Sequence, residues 1–431
     1  MSYAQRVAGP EEMFVSAAGA WLEDRGGRKF LDGRSGIANM ILGYGRDDIA
    51  GAMYRQACEL PFVCTLRYER PAAVTVAYAE ALVKIAPPGL TTVRFTHTGS
   101  SAVESALLMA RLYQRNRGHN GKVLTVGLRG SYHGSTLATM AAAGQPSLHQ
   151  LFGPMPEGFV HVPPPRAGGA GAQSALAEFE GIDPQRVAAV IMEPVKGLSG
   201  QALPAGWLRQ VRAFCTEHDI VLIYDEVFSG IGRMGPMFAT EMSGVVPDIM
   251  CLSKALTAGY APLGAVLASD NVYDAFNKPG RSYFAHGSST DAHPVACAAG
   301  LAVLRAIQDE DVLAAGVCTG ERIRTGLAGR LDGHRWVQEI RALGAYIAIV
   351  PDGPSDIAAR MMMLRHIQAQ CEQRGVLIDY TPEILMLVPP LNLGDDEADL
   401  LASTVADVIA NFRPQEIDPA SLRPPSASGR R

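Results

Sequence analysis

The sequence predicts an α/β fold, with a mainly parallel sheet in a large domain and a smaller α+β domain built from the N- and C-terminal segments. The first observation is that short apolar runs alternate with amphipathic helical patterns from about residue 90 to about residue 310. Such alternation is typical of parallel sheets, because each crossover between parallel strands needs a helix. The second observation is that this alternation ends near residue 312. The third is length, since 431 residues, 48% of them hydrophobic, are enough for two cores.

The predicted elements of the large domain alternate between strands and helices. The strand-like runs cover residues 93–97, 122–127, 187–195, 220–227 and 263–268. The helical patterns cover residues 100–117, 206–218 and 293–309. We therefore assign residues 56–311 to the large domain.

A different order of elements predicts the smaller domain. Helical patterns at residues 312–331, 355–374 and 395–412 flank short strand-like runs at residues 344–350 and 376–379. We assign residues 312–413 to this domain and expect residues 1–55 to join it as its N-terminal segment. Residues 414–431 are polar and rich in proline, so we expect them to form a disordered tail.

The composition argues against several classes of protein. A formal net charge of −5 gives no basic excess to neutralise the phosphates of a nucleic acid. No apolar run approaches the roughly 20 residues that span a bilayer, and the first residues lack the pattern of a signal peptide. The seven cysteines are scattered through apolar segments, without a CxxC motif or zinc-ligand spacing. We expect a soluble, cytoplasmic protein with buried, reduced thiols and no metal site.

A phosphate site is predicted where the first strand of the large domain meets a helix. The usual glycine-rich phosphate loops, GxGxxG after a first strand and GxxxxGK[ST], are absent. In "FTHTGSSAVESALLMAR", however, a strand runs through Thr98, Gly99 and Ser100 directly into a helix. Free N–H groups and hydroxyls at a helix N-terminus bind phosphate. The alternative is that Ser100 and Ser101 only cap the helix.

An acid and a lysine at strand ends predict a cofactor site. Asp225 and Glu226 end a buried strand in "VLIYDEVFSGIGR", and Lys254 follows another strand in "DIMCLSKAL". Side chains at the carboxyl ends of parallel strands converge on one crevice. There, an acid can keep a pyridine nitrogen protonated, while a desolvated lysine forms a Schiff base. The alternatives are a surface lysine and acids that cap the following turn.

The motifs of the chain, taken in order, resemble the class III pyridoxal-phosphate aminotransferases of fold type I. They include "GSSAVESALLMAR", "YHG", "IMEPVKG", "IYDEVFSGIGRMG", "PDIMCLSKAL", "PLGAV" and "HGSSTDAHPVACAAGLAVL". The resemblance covers roughly residues 30–410 and extends to ornithine, acetylornithine and omega-amino-acid aminotransferases and glutamate-semialdehyde aminomutase. It implies pyridoxal 5'-phosphate as cofactor, small amine and carbonyl substrates, and a homodimer with shared active sites.

The resemblance also implies roles for individual residues. Lys254 matches the lysine that forms the Schiff base with the cofactor, and Asp225 matches the partner of the pyridine nitrogen. Gly99 and Ser100 match ligands of the cofactor phosphate.

Further matches surround the cofactor ring and the phosphate. Tyr132 in "GSYHGST" matches an aromatic residue stacked on the ring, although an aromatic side chain there is also suited to covering the core. Val227 matches the apolar residue on the opposite ring face, and Glu193 matches an acid beside the cofactor. A family threonine that reaches the phosphate of the neighbouring subunit aligns with Ser289, with Thr290 next to it, so the register of this hydroxyl is open.

Departures from the family pattern concern the substrate pocket. Phe228 replaces a glutamine that bonds the ring hydroxyl of the cofactor. Leu198 and Met386 replace a glutamate and an arginine that pair and bind a substrate carboxylate. Asp379 aligns with another carboxylate-binding arginine. Because a lone buried charge is costly, the loss of both members of the pair is consistent.

These departures predict an aminotransferase that moves an amino group between a primary amine, other than a dicarboxylic amino acid, and a carbonyl acceptor. Arg67 or Arg70 in "LRYERP" is an alternative source of a carboxylate-binding cation. Two other functions stay open at this point. One is a pyridoxal-phosphate-dependent aminomutase, epimerase or decarboxylase on the same fold, and the other is a non-catalytic homologue.

Overall fold

The structure, a computed structural model, describes residues 10–66, 70–165, 179 and 181–414. Its contacts divide the chain into two compact units, Asp47–Glu310 and a second unit formed by Met1–Arg46 with Asp311–Arg431. A boundary at residue 55 would cut through the helix Asp47–Glu59, which lies entirely in the larger unit because it packs on a later helix of that unit. The expected tail at residues 415–431 lies outside the described residues.

The helices and strands are given in chain order. The N-terminal segment contains β1 (Phe14–Ala18), β2 (Trp21–Asp24), β3 (Lys29–Asp32) and the turn α1 (Ser35–Ala38). The larger unit contains α2 (Asp47–Glu59), α3 (Ala73–Ile85), β4 (Leu90–Thr96), α4 (Gly99–Asn116), β5 (Leu124–Leu128), α5 (Leu137–Ala142), α6 (Pro146–Phe152), β6 (Phe159–Val162), β7 (Val187–Met192), β8 (Val195–Lys196), β9 (Gln201–Ala202), α7 (Ala205–Glu217), β10 (Val221–Asp225), α8 (Thr240–Ser243), β11 (Ile249–Leu252), β12 (Gly264–Ser269), α9 (Asp270–Asn277) and α10 (Pro294–Asp309). The C-terminal segment contains α11 (Val312–Leu331), β13 (Val337–Leu343), β14 (Tyr346–Pro351), α12 (Ile357–Gln373), β15 (Val376–Leu377), β16 (Asp379–Tyr380), β17 (Leu385–Leu387) and α13 (Asp395–Ala410).

The main sheet of the larger unit has seven strands in the order β4-β12-β11-β10-β7-β5-β6. Six run in one direction, as predicted for a mainly parallel sheet, while β12 is antiparallel to both of its neighbours. The strand–helix alternation does not hold at β12, because residues 253–263, which connect it to β11, contain a 3-10 turn and no α-helix. A parallel return needs a crossover of a dozen or more residues, so the chain reverses instead.

Helices cover both faces of this sheet, and β10 shows how one strand serves two cores. Val221 and Ile223 join a cluster formed with α4, while Leu222 and Tyr224 join a second cluster with α7. Successive side chains of a strand point to opposite faces, so a continuous apolar run fills both sides. This burial makes β10 a rigid support for Asp225 at its end.

The smaller unit contains two four-stranded sheets, ordered β1-β2-β3-β15 and β13-β14-β17-β16. The predicted strand at residues 376–379 is in fact two strands, because Val376 pairs with Leu31 of the first sheet while Asp379 pairs with Met386 of the second. Helices α11, α12 and α13 share one core with these sheets.

The cysteines are all unpaired, but they are not all buried. Cys58 and Cys318 are exposed and Cys64 is half-buried, so the expectation of burial is wrong for these three. Cys58 and Cys318 lie on solvent-facing positions of α2 and α11. In the ranges that the structure describes, no helix combines the length and apolar character that a bilayer crossing requires.

Candidate active site

The carboxyl ends of five parallel strands bring the predicted site residues of the larger unit to one edge of its sheet. Gly99 and Ser100 follow β4, Tyr132 follows β5, Glu193 follows β7, Asp225 ends β10, and Lys254 follows β11. Tyr224 pairs with Met192, so the next residues, Asp225 and Glu193, occupy adjacent positions on neighbouring strands. This edge is where ligands bind in open α/β sheets.

Asp225 is buried, with 5% of its surface exposed, and is held by two donors. Its Oδ2 lies 2.9 Å from Nδ1 of His133, and its Oδ1 accepts a hydrogen bond of 3.1 Å from the N–H of Val227. A carboxylate has about four acceptor positions, so it retains capacity for a further donor. His133 is buried as well, and its Nε2 has no hydrogen-bond partner within the described residues.

The sequence alone predicts no role for His133. The signal was its position in "GSYHGST", directly after a strand that ends at the same edge as Asp225. What only the fold reveals is that His133 orients the carboxylate.

Glu226, the second acid of the pair, serves the scaffold. Its two oxygens accept hydrogen bonds from the N–H groups of Ala239 and Thr240, both at 2.7 Å, and from the hydroxyls of Thr240 and Ser229. Burial raises the pKa of Glu226, while these donors act in the opposite direction. The expected alternative, acids that cap the following turn, holds in part for both residues, because Asp225 accepts the N–H of Val227 and Glu226 accepts the hydroxyl of Ser229. Glu226 in addition holds the start of α8.

Glu193 connects two loops. Its Oε1 accepts the N–H of Tyr132 at 3.0 Å and its Oε2 accepts the N–H of Gly197 at 2.9 Å. Burial raises the pKa of Glu193, and the nearby Asp225 adds to that rise, whereas His133 lowers it. Glu193 thus positions the backbone on either side of Asp225.

The N-terminus of α4 presents free donors. Thr98 forms a capping box with Ser101, which satisfies the third N–H of the helix. In the described part of the chain, the N–H groups of Gly99 and Ser100 have no acceptor. A Cβ added to Gly99 would lie 2.7 Å from Cγ1 of Val227, so only glycine allows this close approach. Of the two serines, Ser101 is the capping residue, and Ser100 accepts the N–H of Ser135 through its hydroxyl.

Lys254 begins a tight 3-10 turn and has a φ of +43°. A bulky residue in this left-handed region costs about 1–3 kcal/mol, which the surroundings must offset. They do so through Tyr78, whose hydroxyl donates to the carbonyl of Leu256 at 2.7 Å, and through Ser253, whose hydroxyl donates to the carbonyl of Leu263. Tyr78 is fully buried. Lys254 therefore belongs to a strained but firmly held turn, and it is half-buried rather than at the surface.

Phe228 lies beside this lysine. The Nζ atom of Lys254 is 4.8 Å from the centre of the Phe228 ring, within the range of a cation–π interaction. A Cβ on Gly197 would lie 3.1 Å from the same ring, so the turn that carries Gly197 and the half-buried Leu198 packs closely on Phe228. Of the four predicted pocket residues, Phe228 thus lies close to Lys254, and Leu198 follows the glycine that packs on Phe228.

The other two predicted pocket residues belong to the smaller unit. Asp379 and Met386 are cross-strand neighbours in β16 and β17. Met386 is buried, while Asp379 is half-buried and accepts the N–H of Tyr380 through Oδ1 at 2.8 Å. Of the two candidate arginines, Arg67 lies outside the described residues, and Arg70 is exposed.

Tyr132 follows β5 at the carboxyl edge of the sheet, with 41% of its surface exposed. Burial of the remainder raises the pKa of its hydroxyl, and the carboxylate of Asp225 raises it further. Tyr132 therefore stays a neutral aromatic surface close to Asp225, open to a ligand.

Ser289 and Thr290 are exposed in a segment that Asp291 holds in place. Asp291 is buried, accepts the N–H of Ser288 at 2.9 Å and lies 3.3 Å from Nδ1 of His97. The Nε2 atom of His97 contacts the hydroxyl of Thr290. Both residues are thus exposed on a backbone segment that Asp291 contacts, and the hydroxyl of Thr290 is engaged by His97.

Comparison with known proteins identifies the family of the chain. A family model described as Aminotransferase class-III matches residues 3–409. The chain is 37% identical to an acetylornithine aminotransferase of Bordetella bronchiseptica, covering 94% of this chain and 96% of that protein. It is 34% identical to an omega-aminotransferase of Caulobacter vibrioides, covering 92% and 93%. An amine transaminase from an uncultivated Pseudomonas species, solved in its PLP-bound form, superposes with a TM-score of 0.86 at 30% identity, covering 92% and 94%.

The buried Glu226 and the exposed Glu241 should respond differently to amide substitution. Each oxygen of Glu226 accepts one backbone N–H and one hydroxyl. In Glu226→Gln the NH2 group therefore faces a backbone N–H that cannot turn away. We expect a loss of about 3 kcal/mol in the free energy of unfolding, measured by urea denaturation. Glu241→Gln is the matched control, because Glu241 accepts one backbone N–H but is exposed, and it should cost less than about 1 kcal/mol. Equal losses in both variants would contradict the structural role of Glu226.

Proposed function

The chain belongs to the class III aminotransferases, a family of pyridoxal-phosphate-dependent enzymes, and from that membership we propose the roles of its residues, its assembly and its substrate class. One observation carries the site assignment. The buried carboxylate of Asp225, the amine of Lys254 and the free N–H groups at the start of α4 all lie at one sheet edge. The reaction of the family transfers an amino group from an amine to a carbonyl compound.

The residues present at this edge fit pyridoxal phosphate. The N–H groups of Gly99 and Ser100 supply donors for the phosphate, and the helix dipole favours its negative charge. Asp225 has acceptor capacity for a pyridinium N–H, and Val227 and Tyr132 offer apolar and aromatic surfaces for the two ring faces. When bound, the cofactor supplies an electron sink that acidifies the C–H bond next to the substrate amine.

We assign two tasks to Lys254. Its Nζ holds the cofactor covalently between turnovers, and after release it moves the proton at the carbon next to the substrate amine. The strained turn around Lys254 keeps the backbone in place during both tasks. Phe228, at 4.8 Å from Nζ, gives the amine an aromatic face and excludes water from one side.

Asp225 and His133 act together in the proposed site. Asp225 keeps the ring nitrogen of the cofactor protonated, and His133 holds the carboxylate in the required orientation through its contact of 2.9 Å. Glu193 does not need to touch the cofactor, because its two backbone hydrogen bonds position the loops that carry Tyr132 and Gly197.

The role of Lys254 predicts a covalent attachment that can be mapped. Borohydride reduction of the purified enzyme should fix the cofactor to Lys254, as shown by peptide mass spectrometry. Lys254→Ala should remain folded, bind the cofactor only reversibly and lose transamination by at least about 10³-fold. Lys278→Ala, at an exposed position, is the matched control and should retain activity. Attachment to another lysine would overturn the site.

We also propose that the protein is a homodimer whose two active sites are shared. Ser289 and Thr290 are exposed in the chain, yet their segment is held by Asp291. Presented hydroxyls of this kind suit a phosphate bound by a second copy of the chain. The contact between Thr290 and His97 leaves Ser289 as the better candidate for that phosphate.

Mixing two inactive variants tests the shared site. Lys254→Ala and a Ser289→Ala/Thr290→Ala double variant are combined under conditions where subunits exchange. One site of the heterodimer then carries both defects and the other carries neither, so up to about half of the activity per heterodimer should return. Sedimentation and differential tagging measure the exchange. Absence of recovery in isolated heterodimers would show that these hydroxyls act within their own chain.

The substrate is proposed to be an amine without a distal carboxylate. By the family pattern, the positions that would bind such a carboxylate hold Leu198, Met386 and Asp379, while Phe228 stands beside Lys254. A carboxylate that is desolvated without a partner, and that faces Asp379 as a like charge, is strongly disfavoured. Asp379 instead suits an amine that carries a second cation or a hydroxyl group.

A kinetic comparison of amino donors tests this preference. In the amine half-reaction, followed through the cofactor absorbance without an added acceptor, kcat/KM for simple monoamines and diamines should exceed that for glutamate by at least about tenfold, because one unpaired carboxylate costs more than 1.4 kcal/mol. Alanine controls for an α-carboxylate without a distal one. Asp379→Asn should reduce the preference for diamines over monoamines. A best kcat/KM for glutamate would refute the proposal and indicate an arginine such as Arg70 or Arg67.

We propose the cytoplasm as the compartment of the enzyme. All seven cysteines are unpaired, and three of them are partly or fully exposed. Free thiols of this kind persist where the environment is reducing.

A further inference from the structure

A second anion site is indicated at the far end of the helix that begins at Gly99. A cavity of about 420 Å³ is lined by Arg111, Arg115, His119, Asn120, Lys122 and Val123. Three of these six residues carry a permanent positive charge, and no carboxylate is among them. Since α4 rises about 1.5 Å per residue, Arg111 lies about 18 Å along the helix from Gly99. The cavity is therefore separate from the proposed cofactor site.

The two arginines have no counter-charge in the described part of the chain. Arg111 and Arg115 are spaced i,i+4, so they lie on the same face of α4, where like charges repel. Neither forms an ion pair or hydrogen bond there, and the Nε of Arg111 is buried without a partner. The guanidinium of Arg111 lies 5.5 Å from the ring centre of Phe159, which holds it in place.

Lys122 adds a third positive charge to the lining of the cavity. It is 5% exposed, and its Nζ donates to the carbonyls of His218 and Asp219. Carbonyl dipoles orient the ammonium but do not neutralise it. Burial lowers the pKa of Lys122, since desolvation outweighs the attraction of Asp219. A bound anion would relieve that cost.

Two ordinary explanations do not account for this cluster. A helix C-terminus favours cations, but the effect is confined to the last turn, which includes Arg115 and not Arg111. The nearby carboxylate of Asp219 is already engaged at 3.1 Å by Arg117 and at 3.3 Å by His119, and it lines a neighbouring cavity. Around this concave space Lys122 is buried, Arg111 is half-buried and Arg115 is exposed. Cations arranged in this way are suited to an anion.

We propose that this cavity, which we name the α4 basic pocket, binds a small soluble molecule that carries a phosphate group. The planar forks of Arg111 and Arg115 match the geometry of phosphate oxygens, and Lys122 supplies a point charge at depth. The volume is in the range of small-molecule sites. Because Lys122 and the Nε of Arg111 are buried, the pocket suits a compact ligand that enters it rather than a flat membrane surface.

The test uses the cofactor-loaded enzyme, so that the cofactor phosphate site is filled. Inorganic phosphate and pyrophosphate are titrated by calorimetry at a constant ionic strength of about 0.15 M. We expect one saturable site per chain, with an affinity reduced about tenfold or more in Arg111→Gln/Arg115→Gln. The matched control is Arg305→Gln/Arg374→Gln, which removes the same charge at exposed positions and should bind like the wild type. Unchanged unfolding temperatures and cofactor absorbance verify that both variants are folded.

Specific results would overturn the proposal. They are the absence of saturable binding, equal binding by the wild type and Arg111→Gln/Arg115→Gln, or an equal loss in the control variant. Flotation with vesicles of a neutral lipid, prepared with and without phosphatidic acid, distinguishes a lipid headgroup from a soluble phosphate. Vesicle binding that depends on Arg111 and Arg115, without binding of soluble phosphate or pyrophosphate, would replace the proposed ligand with a lipid headgroup.

Discussion

A charged carboxylate is stable in a protein interior only if donors surround it, and three such groups stand at adjacent strand ends in this protein. Asp225, Glu226 and Glu193 are all 5% exposed or less. The loops at the carboxyl edge of the sheet take their shape from satisfying them. Glu226 collects the N–H groups that begin α8, and Glu193 collects those of Tyr132 and Gly197. Asp225 and Glu193 each accept two hydrogen bonds, but those of Glu193 come from the backbone of two different loops. Asp225 is the acid that we propose faces the ring nitrogen of the cofactor.

Strain and rigidity meet at Lys254. Its left-handed backbone is compensated by Tyr78 and Ser253, which bind the carbonyls of the same turn and its continuation. The aromatic ring of Phe228 then faces the amine where the family pattern has a glutamine. The contacts of Tyr78 and Ser253 hold the backbone of the lysine turn and do not involve residue 228, so this backbone support is compatible with the replacement. The site can thus change its substrate without changing its core chemistry.

Helix α4 joins two electrostatic environments. Its N-terminus has free N–H groups, which we propose bind the cofactor phosphate because the helix dipole favours a negative charge there. Its other end carries cations, of which only the last-turn arginine is explained by that dipole. Arg111 and Lys122 place charge where it costs free energy unless an anion is present.

The sequence by itself determined the elements whose signals are local. The strand-to-helix junction at Gly99 and Ser100, the apolar run of β10 and the helical pattern at residues 312–331 are read from neighbouring residues, and the motif order identified the family. Tertiary structure alone decided the rest. A continuous apolar strand does not reveal which face each side chain takes, so the different roles of Asp225 and Glu226 came from the fold. The pairing of His133 with Asp225, the reversal of β12 and the cluster around Lys122 likewise depend on contacts between segments far apart in the chain, which no local pattern encodes.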